Sequence, residues 1–281
     1  MDKISSKIKS RICWFFAIVF SLFWLVISFL PFVFMVLNSF KEKFEMLVKG
    51  IFQLPDKLLW DNYKEVLSGK FFIYVKNSVL VLVISLILLL FISACAAYPL
   101  SRFKFKLNAT IYGMIVACMS IPMHITLIPV FKMTKNIGLY DSTWALIGPY
   151  VAFGIPISVF ILTGFMKGIP KDIEEAAEID GCNKYRMFFT MILPLSKAGL
   201  STLAIYNGVT MWNEFSFAYT LTQSPKSRTL PLAVWDFQGQ YSMNTPMIMA
   251  VLTLTILPLI VLYVIMQDKL VKGMTAGAVK G

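Results

Sequence analysis

Long apolar runs separated by short polar stretches dominate this chain. About 20 consecutive apolar residues form a helix of roughly 30 Å, the thickness of a bilayer's hydrocarbon core. By that measure the pattern predicts six spanning helices, at about 12–37, 74–97, 109–131, 143–165, 199–221 and 247–266. The expected fold is an all-α polytopic membrane protein. The first run is too long for the apolar region of a signal peptide, and no A-x-A-like cleavage site follows it. It reads as a retained helix, kinked or ended near Pro31.

Six spans place both termini on one side of the membrane. Fifteen Lys and Arg residues fall in the tails and loops of that side, against eleven opposite. The bias favours cytoplasmic termini. The chain then divides into a tail, first helix and outer loop (1–73), a core of five helices carrying a cytoplasmic loop at 166–198 (74–267), and a C-terminal tail (268–281).

Composition supports a membrane protein: of 281 residues, 58% are apolar and 15% charged. Soluble domains hold about 25% charged residues. The net charge of +11 does not point to nucleic acid, because the basic residues flank apolar runs, where they meet lipid headgroups. Cys13, Cys95, Cys118 and Cys182 fall in or on the cytoplasmic side of the spans, so no disulfide is expected. They lack metal-ligand spacing, and with His124 the sole histidine no metal or cofactor is expected. His124 itself reads as a packed, hydrogen-bonded side chain. No G-x4-G-K-[ST] phosphate loop and no catalytic triad or carboxylate pair is present, so the chain reads as neither an ATPase nor another enzyme.

The outer loop after the first span contains Leu54-Pro55 and then Trp60 to Leu67. Pro55 marks a turn, and Asp61 reads as the cap of a short helix anchored at the interface by Trp60 and Tyr63. Spans three and four carry Pro122, Pro129, Gly148, Pro149, Gly154 and Pro156. Such residues break or closely pack membrane helices, either around a pathway or as structural kinks.

The segment 166–198 is the most informative. Pro170 suits the first turn of a helix, and Asp172, Glu174 and Glu175 complement the positive end of its dipole. Ile169, Ile173, Ala176 and Ala177 form a narrow apolar stripe, and Gly181 is a favourable helix stop. A second short helix at about 184–191 returns the chain to the membrane, ended or kinked by Pro194. The expected object is a rigid helix-turn-helix whose two alanines allow close approach of a partner. A helix lying flat on an anionic leaflet would instead carry a basic face.

Glu214 is the one carboxylate expected inside a span, where an ionised group needs water, a partner or a ligand. Trp212, Asn213 and Glu214 together offer an aromatic face, an amide and an acceptor, the mixture a sugar requires. The alternative is a structural bond between helices or across chains.

Glu175-Ala176-Ala177, three residues, Gly181, nine residues and then Met191-Ile192-Leu193-Pro194 resemble the E-A-A-x3-G-x9-I-x-L-P loop of ABC importer permeases. Met191 stands where that pattern has Ile, a swap that keeps size and apolarity. The C-terminal stretch Leu270–Gly281 looks like the tail of the maltose-type second permease subunit. Asn62-Tyr63, Tyr74 with Asn77-Ser78, and Trp212 to Phe215 resemble the same carbohydrate-uptake group.

The resemblance implies the type I importer permease fold. It also implies a second permease subunit in a heterodimer, two copies of a cytosolic ABC ATPase, and an extracytoplasmic binding protein that delivers a sugar at a prokaryotic cell membrane. It makes Glu175, Ala176, Ala177, Gly181 and Pro194 the ATPase-coupling residues, and sends the tail between the ATPases. From composition alone that tail reads as a flexible end. Two rivals stand beside this reading. One is the same architecture importing a polyol or an amino acid. The other is an ion-coupled secondary transporter, which calls for inverted repeats or several intramembrane charges.

Overall fold

The structure is a computed structural model that describes residues 2–50, 52–238 and 243–278. Those residues form thirteen α-helices with short 310 turns, one π-helical turn and a single isolated β-bridge between Gln238 and Met243. The chain separates into two compact units, residues 1–69 with 234–256 and residues 70–233 with 257–281.

In the first unit, α1 (Asp2–Ser39) passes through Pro31 and continues to Ser39. The expected end at Pro31 is therefore not seen; one missing N–H is tolerated within so long an apolar helix. Residues 12–31 are exposed, including Phe15, Phe20, Phe23 and Trp24. Such a surface suits lipid or another chain rather than water. After α2 (Lys43–Val48) comes α3 (Asp61–Ser68). Trp60, not Asp61, occupies the capping position. Asp61 is the first helical residue, where its charge still complements the dipole. Asn62 donates to the carbonyls of Ser39 at 2.8 Å and Lys41 at 3.1 Å. Tyr63 shares a 2.6 Å hydrogen bond with the Ser39 hydroxyl, and the Phe40 ring packs against both Trp60 and Tyr63.

In the second unit, α4 (Phe71–Arg102) packs along α7 (Ile147–Lys167), and α11 (Lys197–Trp212) closes against both. Small residues permit this approach: Ser85, Ser93, Ala94 and Ala97 of α4 are buried. At Gly154 of α7, an added Cβ would lie 2.5 Å from a Leu89 methyl. Between these helices, α5 (Asn108–Ala117) and α6 (Leu127–Asn136) flank the break at Ile121-Pro122. The final helix, α13 (Thr245–Ala278), is divided between the two units at Ile256.

Three of the six expected spans stand as single helices long and apolar enough to cross a bilayer: Ile12–Ser39, Phe71–Arg102 and Thr143–Lys167. The third is not a straight crossing. Asn108–Ser120 and Met123–Asn136 meet at 90°. Ile121 is extended because it precedes proline, and Pro122 cannot donate to the preceding turn. The run expected at 199–221 is likewise two helices, α11 and α12 (Ser216–Leu221), parted at Asn213–Phe215. The last expected span, 247–266, lies in α13. Its backbone is helical to Ala278; Val279–Gly281 lie outside the described residues.

Candidate functional site

The loop 166–198 folds into a knuckle of two short arms. The first arm is α8 (Asp172–Ile179), with Asp172, Glu174 and Glu175 in its first turn. It ends in a Schellman motif: Gly181 N–H donates to Glu178 O at 3.0 Å and Cys182 N–H to Ala177 O at 2.9 Å. This requires the left-handed backbone at Gly181, whose φ is 77°. The second arm starts at Asn183, whose side chain accepts from Arg186 N–H at 2.8 Å to cap α9 (Lys184–Met187). It continues through a π-turn at Phe188–Ile192 into α10 (Leu193–Leu195). The two arms are further tied by an ion pair between Lys184 and Glu178. Pro194 is exposed within α10, next to the 69° bend that leads into α11.

The faces of α8 differ from the expected stripe. Ala177 is buried among Ala97, Leu162, Met166, Met187 and Ile192. Its small size is thus used inside this chain, and only Ala176 of the two alanines is exposed. The other inward position belongs to Glu174, not to Ile173. Its Oε1 lies 2.7 Å from the Arg102 Nε at the end of α4, and both side chains are nearly enclosed. Arg102 also donates from Nη2 to Ile169 O at 2.9 Å. The outward surface carries Ile173, Glu175, Ala176, Ile179 and, from the second arm, Tyr185. Ile179 and Tyr185 are 87% and 82% exposed, an apolar rim set among acids.

Glu214 sits at the break between α11 and α12 and is buried. Its carboxylate accepts from Phe217 N–H at 2.8 Å, Ala218 N–H at 3.1 Å and the Tyr150 hydroxyl at 2.8 Å. It therefore satisfies the first free N–H groups of α12 and binds α7 to that helix. Trp212 is also buried, whereas Asn213 is exposed and donates to Val209 O at 2.9 Å. The trio does not present one common face. Beside Glu214 is a cavity of about 100 Å³ bordered by Pro149, Tyr150, Gly154, Tyr206, Asn207 and Thr210. Asn207 donates to Ser158 Oγ at 3.2 Å and to Leu203 O at 3.0 Å. His124 is exposed in the 310 turn after Pro122 and not packed as expected, because the 90° break carries it off the helix axis.

Sequence reading missed a second polar centre at the far end of the same unit. Asp141, in a left-handed conformation at φ 57°, accepts from Gln223 N–H at 2.7 Å, Ser224 N–H at 2.8 Å and Ser227 Oγ at 2.5 Å. Partial burial alone raises the Asp141 carboxyl, but these hydrogen bonds outweigh it and lower it from 3.8 to about 2. Asn77 of α4 donates to Lys226 O and Arg228 O, both at 2.8 Å, and Ser78 accepts from Leu230 N–H at 2.8 Å. The signal was the Tyr-Asp-Ser-Thr turn at 140–143, since Asp before Ser/Thr favours local backbone capture.

The family described as binding-protein-dependent transport system inner membrane component matches residues 90–276. A protein of Caldicellulosiruptor sp. (strain Rt8B.4) named as an ABC transporter permease is 51% identical over 98% of this chain and 100% of its own length. The trehalose/maltose transport system permease of Thermococcus litoralis is 33% identical over 91% of this chain and 93% of its own. The crystal structure of a bacterial ABC transporter involved in import of the acidic polysaccharide alginate has a chain of the same fold. That chain superposes with a TM-score of 0.77 at 21% identity, over 92% of this chain and 96% of its own. The chain is therefore a member of the binding-protein-dependent transport system inner membrane component family, the membrane-embedded permease components of ABC transporters.

Proposed function

We propose that this chain is one of two permease subunits of an importer that carries a sugar or oligosaccharide delivered by an extracytoplasmic binding protein. The knuckle carries the proposal. Its inner face is locked to its own subunit by Ala177 and Glu174, and its outer face offers Ile173, Glu175, Ala176 and Ile179 to a cytosolic ATPase. Gly181 fixes the turn between its two arms, and Pro194 stands where the second arm returns toward α11. The topology proposed is six crossings with both termini cytoplasmic, the third and fifth crossings being bent. The three regions 1–73, 74–267 and 268–281 then correspond to the outer anchor, the permease core and the tail that meets the ATPases.

In this reading the partner's ATP-driven closure moves the knuckle, and the helices around the Glu214 cavity change which side they open to. Buried Glu214 and Trp212 hold the α11–α12 break in shape. Exposed Asn213 faces the pathway formed with the second permease chain. A sugar substrate is favoured by the names of the relatives, among them the trehalose/maltose system. The test is uptake into proteoliposomes containing this chain, its second permease, ATPase and binding protein, with labelled oligosaccharides, polyols and amino acids. ATP-dependent uptake of an oligosaccharide alone supports the proposal. Uptake of a polyol or amino acid alone defeats the sugar assignment, and uptake by this chain without an ATPase defeats the importer assignment.

A further inference from the structure

The enclosed Arg102–Glu174 pair has no part in the motif that marks the knuckle, yet it joins the knuckle to the 32-residue helix α4. Arg102 uses two nitrogens in different directions, Nε toward Glu174 in α8 and Nη2 toward the carbonyl of Ile169 before it. Four residues earlier on the same helix, Tyr98 donates from its hydroxyl to Lys184 O at 3.4 Å, and its ring packs on Phe188 at 5.1 Å. Both arms of the knuckle are thus attached to the last two turns of α4. The other end of α4 holds residues 226–230 through Asn77 and Ser78. The helix carries that connection over about 37 Å from Asn77 to Arg102.

We propose that Arg102, through its pair with Glu174, is the positioning residue that transmits knuckle displacement to α4. The proposal rests on the reading of the knuckle as the ATPase-coupling element. Parting two enclosed opposite charges 2.7 Å apart leaves each without compensation, so the pair resists sliding of α8 over the end of α4. An apolar contact at the same place is non-directional and permits that sliding. Lysine does not substitute: a point charge cannot reach Glu174 and Ile169 O with the fixed fork of a guanidinium.

Removing one member leaves an uncompensated enclosed charge and perturbs folding, so single variants alone are uninformative. The decisive variant is the double replacement Arg102→Met with Glu174→Met, which removes both charges and keeps apolar volume. It is assayed in the complete transporter in proteoliposomes, for assembly with the ATPase, ATP hydrolysis and solute uptake. The expected result is normal assembly with uptake per ATP hydrolysed lowered roughly two- to thirty-fold, the range for residues that carry coupling between sites. Arg102→Lys is expected to fall between wild type and the double variant. Wild-type uptake per ATP in the double variant overturns the proposal, and so does failure of that variant to assemble, which would make the pair structural. Gly181→Val is run in parallel. If it too leaves coupling at the wild-type value, the coupling role of the whole knuckle falls. If it uncouples while the double variant does not, only the role of Arg102 falls.

Discussion

The Tyr150 hydroxyl of α7 and the Glu214 carboxylate, at the break between α11 and α12, are both buried and meet at 2.8 Å. The same carboxylate caps α12, so one side chain closes a helix start and joins it to α7. An enclosed acceptor with three donors is a structural fixture, and its loss exposes three unmatched groups.

Glu214→Gln replaces an acceptor-only group with one that carries two donors, and one of these must face Tyr150 or the N–H groups of α12. We expect destabilisation of about 1–3 kcal/mol. Tyr150→Phe should cost about 1 kcal/mol. Thermal unfolding of the purified complex measures both. Uptake by Glu214→Gln should fall through loss of folded transporter, with an unchanged KM for the solute. A raised KM at normal stability would instead place Glu214 in contact with the solute.

Gly154→Ala places a methyl 2.5 Å from one Leu89 methyl and 3.1 Å from Asn207 Oδ1. Leu89 is fully buried, so it has little room to turn away. A cost of about 1–3 kcal/mol is expected, as for other overpacked interiors. Adding Leu89→Ala should recover part of it in a double-mutant cycle. Additive losses would show that the two residues do not crowd one another.

The Asp141 carboxyl is lowered to about 2 in the folded chain, below its ordinary 3.8. A depressed carboxyl adds stability above its unfolded pKa, and that contribution is lost as pH falls through the folded value. Stability should therefore decline as pH drops from about 4 to about 2, and this part of the decline should vanish in Asp141→Ala. Asp141→Asn keeps the Oδ1 that accepts all three bonds. It should cost less than Ala near neutral pH. An unaltered acid profile in Asp141→Ala would remove Asp141 as its source.

Gly181→Val puts a β-branched residue at φ 77°, where left-handed backbone costs an L-residue about 1–2 kcal/mol. Gly181→Asn should be milder, since asparagine tolerates this region. The knuckle is a local feature, so membrane insertion should persist while uptake per ATP falls more for Val than for Asn. Equal coupling in both variants would contradict a need for the Schellman stop.

What could be read from the sequence was local. Gly181 announced its turn because only a small set of residues adopts a positive φ, and Pro122 announced a break because it lacks a donor. The phase of α8 was not readable. Periodicity put Ile173, Ala176 and Ala177 on one stripe with both alanines free for a partner, but Ala177 is buried and Glu174 turns inward to Arg102, which is distant in sequence. Glu214 was placed within a helix because its neighbours are apolar. The donors that hold it at a helix start, Tyr150 among them, depend on packing that no local pattern encodes. The 90° bend at Pro122 exceeds what one proline implies.

The account depends on the exposed face of α8 meeting an ATPase in the cytosol. The direct measurement is cross-linking from Ala176→Cys in a variant whose four native cysteines are replaced, using sealed membranes of each orientation. The account predicts a cross-link to the ATPase subunit, blocked by a membrane-impermeant maleimide only when the cytoplasmic face is accessible. Labelling of that position from outside intact cells, with no cross-link to the ATPase, would contradict it.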